Sequence, residues 1–163
     1  MAFFYPNRNN DMWRIMGLVM HHDRDYYWND CGNKFDEARI KAMLDRLGIA
    51  LWDTAMRVRR LKDNASDKYL EIVEPIDLAA LFDACPTISA VVATGEKACS
   101  VVAGIVGCEL PPIGASVPCS LGGRSFDLWR MPSSSRAYPL SLEKKAESYR
   151  KMLVANGVVP KLD

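Results

Sequence analysis

The chain has no C-x-x-C pair, only two histidines, and no apolar run approaching the ~20 residues that cross a membrane. Each absence closes a class. The five cysteines, Cys31, Cys85, Cys99, Cys108 and Cys119, are odd in number and widely spaced. That spacing argues against a zinc site, an iron–sulfur cluster and a disulfide framework, and fits small thiols in a reducing cytoplasm. His21 and His22 lie together in an early loop, and no G-x-S-x-G elbow is present. A serine–histidine–aspartate hydrolase therefore lacks its parts. No G-x-x-x-x-G-K-[ST] loop is present for a nucleotide. No basic stretch followed by an apolar one opens the chain, so no signal peptide is expected. The net charge of +1 does not announce a nucleic-acid binder, because local patches matter more than the sum.

What is present is the composition of one globular domain. The chain has 163 residues, 49% hydrophobic and 25% charged, enough to bury a core without staples. Met12, Ile15, Met16 and Val19 mark an amphipathic helix that Asn10 or Asp11 can cap. Ile40, Met43, Leu44 and Leu47 mark a second, between a cap at Asp36 and a stop at Gly48. Residues 49–52 read as a buried strand and 53–75 as mostly irregular. Leu78, Leu81, Phe82 and Cys85 mark a third helix, residues 88–93 a second strand, and Ala98, Val101, Val102 and Ile105 a fourth helix. Residues 107–123 read as loop with at most a short strand, 124–131 as a third strand, and 141–157 as a last helix with Leu142, Ala146, Tyr149 and Leu153 inward. This alternation predicts an α/β domain over residues 1–163, with a parallel sheet covered on both faces. Ligands of such sheets sit at the carboxyl ends of the strands.

Four segments stand out as carriers of chemistry. Asp53-Thr54 ends the first expected strand, and the cations Arg57, Arg59, Arg60 and Lys62 follow it, in a spacing that suits a phosphate backbone or a solvated face paired with acids. Thr94-Gly95-Glu96-Lys97 is a strand–turn–helix junction with free N–H groups. Met131-Pro132-Ser133-Ser134-Ser135-Arg136-Ala137-Tyr138 is a stiff loop rich in donors. The opening stretch, Phe3 to Trp13, sets aromatics beside Asn7, Asn9 and Asn10, side chains able to stack on and bond a planar base.

These four segments, in this order, resemble the uracil-DNA glycosylase superfamily, nearest to the bacterial branch of hypoxanthine-DNA (deoxyinosine) glycosylases. Tyr5, Pro6, Asn10, Met12 and Trp13 match its aromatic–Pro…Asn-x-aromatic-Trp stretch. Leu51-Trp52-Asp53-Thr54 matches the strand that ends in a base-reading polar residue, Gly95-Glu96-Lys97-Ala98 its glycine turn, and Met131-Pro132-Ser133-Ser134 its minor-groove loop. The resemblance implies a three-layer α/β/α sandwich with a short, mostly parallel sheet. It implies an enzyme that flips a deaminated base, uracil or hypoxanthine, out of DNA and excises it without metal or cofactor. Carried over by position, the catalytic candidates are Asn10, Asp53 and Ser133. The substrate contacts are Phe4, Tyr5, Asn7, Thr54 and Gly95. The DNA contacts are Arg57, Arg59, Arg60, Lys97, Ser134, Ser135, Arg136 and Tyr138. The chain departs from the family at Met131, where a histidine often stands. It is also expected to lack the family's opening strand and the Gly-x-x-Pro loop that positions the attacking water. The alternative is a non-catalytic relative that binds DNA or a nucleobase with the remaining loops.

Overall fold

A computed structural model describes residues 3–29, 31, 33–60 and 70–161, with the backbone alone at Arg57, Val58, Arg60 and Leu70. Among these residues the chain is α/β, with five helices and seven strands that form two compact units. The first unit is Met1–Leu51 with Pro132–Asp163, and the second is Trp52–Met131.

The first unit is mainly helical. Helix α1 (Met12–His21) buries Met12, Trp13, Ile15, Met16 and Val19, as its period requires. A strand pair follows, β1 (Trp28–Asn29) and β2 (Lys34–Phe35), paired antiparallel. Helix α2 (Glu37–Leu47) is bounded as the sequence predicts. Asp36 accepts from the Arg39 N–H at 3.0 Å, and Gly48 takes φ 65°, a left-handed stop that suits glycine. Helix α5 (Leu142–Ala155) starts at Ser141, whose hydroxyl accepts from the Lys144 N–H, and packs on α1.

The expected strand at residues 49–52 is absent. The Ile49 N–H turns back to the Leu44 carbonyl at 2.9 Å, so the run closes α2 instead of joining a sheet. Trp52 is left 60% exposed.

The second unit begins with β3 (Ala55–Arg60) and β4 (Leu70–Pro75), an antiparallel pair where the sequence reading placed irregular chain. Its register sets Arg59 opposite Glu71, and that pairing brings unlike charges together. Lys62 and residues 63–67 lie outside the described residues. Helix α3 (Leu78–Ala84) is capped by Asp77 through the Ala80 N–H, and the Cys85 N–H closes it on Leu81. Strand β5 (Ala90–Thr94) leads through Gly95 into α4 (Glu96–Val106). Then come β6 (Ala115–Leu121) and β7 (Arg124–Met131).

These three strands form one sheet in the order β5-β7-β6. β5 runs parallel to β7, but β6 runs antiparallel to it. The described sheets are therefore mostly antiparallel, contrary to the expected parallel sheet. The reason lies in the turn. Gly122 and Gly123, at φ 57° and 80°, join Leu121 to its partner Arg124 as a two-residue hairpin. A hairpin imposes antiparallel pairing. Pro118 is accommodated because β6 is an edge strand. The sheet's core side joins Ala93, Phe126, Leu128 and Cys119 with Leu78 and Phe82 of α3 and Cys99, Val102 and Ala103 of α4.

Two tests follow. A Cβ at Gly17, inside α1, would collide with the Asp23 backbone carbonyl. Gly17→Ala should therefore lose about 1–3 kcal/mol by overpacking, despite a helix-propensity gain of ~1 kcal/mol, as urea unfolding would measure. The cysteines should react in order of exposure. Cys31 is exposed, while burial and the neighbouring Cys108 thiol push Cys119 up to about 12, and burial also raises Cys99. A maleimide at neutral pH should label Cys31 in the folded protein and reach Cys99 and Cys119 only on unfolding. Early labelling of Cys119 would contradict this packing.

Candidate functional site around Asp11 and Lys145

The first unit brings two of the four singled-out segments together. The Asn7 side-chain oxygen accepts from the Asn9 N–H at 2.9 Å, and the Asn7 carbonyl from the Asn10 N–H at 2.9 Å, a compact turn before α1. The Asp11 N–H then reaches the Ser134 carbonyl at 2.7 Å, and the Arg136 N–H the Asn9 carbonyl at 2.9 Å. Asn10 and Ser135 form an antiparallel bridge. Residues 9–11 and 134–136 thus run side by side like a short piece of sheet.

A buried ion pair underlies this contact. Lys145 is 1% exposed and Asp11 6%. Lys145 Nζ donates to Asp11 Oδ2 at 3.1 Å and to the Ser135 carbonyl at 2.8 Å. Asp11 Oδ1 accepts from Arg136 Nε at 3.3 Å. One carboxylate therefore serves two cations, one buried and one half-exposed. Asp11 stands at the N-cap of α1 but makes no side-chain cap bond, because its oxygens are taken. Asn10 covers the helix end instead, its side-chain oxygen accepting from the Met12 N–H at 2.9 Å.

Other side chains frame this centre. Tyr149 donates its hydroxyl to the Pro132 carbonyl at 3.0 Å, and its burial, with Tyr5 near it, raises its pKa. Arg14 is buried, donates to the Arg8 carbonyl at 3.2 Å, and lies 5.3 Å from the Trp28 ring centre. Burial, and next the Arg136 charge, lower the Arg14 pKa. The opening aromatics fold onto Trp13. The Phe3 ring stacks on it at 6.2 Å, Tyr5 meets it edge-on at 6.1 Å, and the Phe4 carbonyl accepts from its Nε1 at 3.2 Å. Tyr5 has φ 54°, a left-handed conformation that costs a non-glycine residue energy.

The remaining sequence candidates divide as follows. Ser133 accepts from the Ser135 N–H, Ser135 from the Ala137 N–H, and Ser134 is buried. Arg136 is exposed and Tyr138 half-buried at the outer end of the loop. Asp53, Thr54, Arg57, Arg59, Arg60, Gly95 and Lys97 belong to the second unit. There Asp53 is exposed, and the Thr54 carbonyl accepts from the Ile76 N–H at 3.1 Å. Arg59 lies 3.5 Å from Glu71, and the Gly95 N–H is taken by the Met131 carbonyl at 3.0 Å. Among the described residues, no group of three His, Cys, Asp or Glu side chains is placed to hold a metal.

Sequence reasoning missed Lys145 and took Asp11 only for a cap. The signal was available. Lys145 lies three residues after Leu142 and four before Tyr149, on the face those residues turn inward. A lysine at such a position needs a buried anion. No protein-family model, curated protein or solved structure matches the chain.

The ion pair can be tested directly. Asp11→Asn strands the Lys145 charge in the interior and should cost about 3–5 kcal/mol. The double variant Asp11→Asn/Lys145→Met removes both charges and should recover most of that loss. Urea unfolding of the two singles and the double gives the coupling as a double-mutant cycle.

Proposed function

We propose that the protein is a DNA glycosylase of the uracil-DNA glycosylase type, acting in base-excision repair on uracil or hypoxanthine. What carries the reading is the joining of the opening Asn-rich segment to the Pro-Ser-Ser-Ser-Arg loop, two segments that the resemblance assigns to base and phosphate contact. They lie more than a hundred residues apart in the chain, yet share a backbone bridge and one buried carboxylate. In this reading Ser133 to Ser135 face the DNA backbone, Arg136 or Tyr138 fills the gap left by the flipped nucleotide, and Asp53 reads the base edge. The bond between the base nitrogen and C1′ breaks, positive charge grows on the sugar, and water supplies hydroxide to C1′ and a proton to the departing base. The three-layer sandwich, DNA as partner and a cytoplasmic location belong to the same proposal. For the membrane, the supporting fact is that no described helix is long and apolar enough to cross one.

One observation favours a second reading, a relative that binds DNA or a nucleobase without cleaving it. The side-chain oxygens of two catalytic candidates, Asn10 and Ser133, are already engaged with the N–H groups of Met12 and Ser135. These side chains hold their own turns.

A single experiment separates the two. The chain is incubated with single- and double-stranded oligonucleotides carrying one uracil or one hypoxanthine, and abasic sites are revealed by alkali. The glycosylase reading expects strand breaks at the lesion. Binding without breaks favours the second reading, and neither binding nor breaks defeats both. In binding measurements Arg136→Gln should weaken affinity across sequences and lower the salt slope by about 1, as loss of one phosphate contact does.

A further inference from the structure

Lys145 is the most deeply buried charge among the described residues, at 1% exposure. Nothing in the packing of α5 on α1 calls for an ammonium there. A methionine or leucine would fill the same volume without the cost of removing a charge from water. Its two hydrogen bonds show where that cost is offset. Both leave α5: one goes to Asp11, at the start of α1, and the other to the Ser135 carbonyl, in the middle of the Ser-rich loop. Asp11 passes the connection on. Its second oxygen takes Arg136 Nε, and its backbone N–H takes the Ser134 carbonyl. Three consecutive loop residues, Ser134, Ser135 and Arg136, are thus fixed by one lysine and its counter-ion.

The two cations are held unequally. Lys145 is enclosed, while the Arg136 side chain is 48% exposed and meets Asp11 through Nε alone. The terminal nitrogens of Arg136 have no hydrogen-bond partner among the described residues, so a planar donor edge stays open to an anion.

We propose that Lys145 is a positioning residue for the loop at residues 133–138. It acts through Ser135 and Asp11 to set the loop's backbone and to aim the free edge of Arg136 at a phosphate. The proposal rests on the reading of this loop as a DNA contact. Lys145 itself touches no substrate.

The test uses the full chain and the double variant Asp11→Asn/Lys145→Met, which buries no unpaired charge. Amide hydrogen exchange is followed at Ser135, Arg136 and Ala137, and along α1 and α5. Binding of a uracil-containing duplex is measured from low to moderate salt. The proposal expects loop amides exchanging about tenfold faster with the helix amides unchanged, a tenfold weaker Kd, and a salt slope lower by about 1. A folded double variant with native loop exchange, affinity and slope overturns it, since the pair then serves packing alone. Should the double variant fail to fold, the native protein still decides. The Nζ resonance of Lys145 and the carboxyl resonance of Asp11 are expected to shift as the duplex is added, and unmoved resonances on saturation overturn the proposal. If the native chain shows no salt-dependent binding, the DNA reading falls with the aiming of Arg136, while the exchange comparison separately supports or overturns the ordering of the loop by Lys145.

Discussion

Removing a lysine ammonium from water costs several kcal/mol even after the protein relaxes around it. Lys145 is stable at 1% exposure only because an anion and a carbonyl meet it inside. Asp11 supplies the anion from 134 positions earlier in the chain. Much of the first unit depends on this meeting. Asp11 stands at the N-cap of α1, so its carboxylate also lies at the positive end of the helix dipole. The same meeting fixes the loop after β7, because Ser134, Ser135 and Arg136 bond to the pair or to its backbone. On α1, Trp13 meets Phe3 and Tyr5, and that packing accommodates the left-handed backbone at Tyr5.

The same constraint sorts the polar side chains of the site. Those nearest the pair are consumed by the chain itself: Asn7, Asn10, Ser133 and Ser135 each cap a neighbouring N–H. Such bonds cut the conformational entropy that a ligand would otherwise have to remove on binding. Preorganisation therefore falls to the small side chains, and in the proposed DNA reading contact falls to the exposed Arg136 and the half-buried Tyr138. This division weakens the case for Ser133 as a reacting group and strengthens the case for the loop as a clamp.

Elements with local signals were legible in the sequence. Asp36 and Gly48 bound α2 because capping and left-handed stops depend on single residues. Strand β7 and helices α4 and α5 fell where periodicity put them. The misses came where pairing decided the outcome. Ile49 to Trp52 looks like a strand until its first N–H is spent on closing α2. Strand β6 was hidden by Pro118 and the surrounding glycines, although Ala115, Val117, Cys119 and Leu121 alternate as a half-buried strand should, and Gly122-Gly123 is a hairpin turn. In the site, the segments were legible but their linkage was not. A buried salt bridge has no local signature, since its partners need share no stretch of sequence.

Charge placement gives the site its remaining character. On β3 and β4 the register sets Arg59 against Glu71, 3.5 Å away, so this cation has an anion beside it. Around Asp11 the balance differs. Lys145 and Arg136 share one carboxylate, and burial, then the Arg136 charge, lower the Arg14 pKa. Asp25 relieves Arg14 only from 3.7 Å and from a position 60% exposed, where water screens it. The cations there outnumber the well-placed anions, and the surplus lies on the half-exposed Arg136 rather than on the enclosed Lys145. A net charge near zero is thus compatible with a local demand for an anion. A phosphate diester, carrying one negative charge on two oxygens, matches both the size of that surplus and the open donor edge of Arg136.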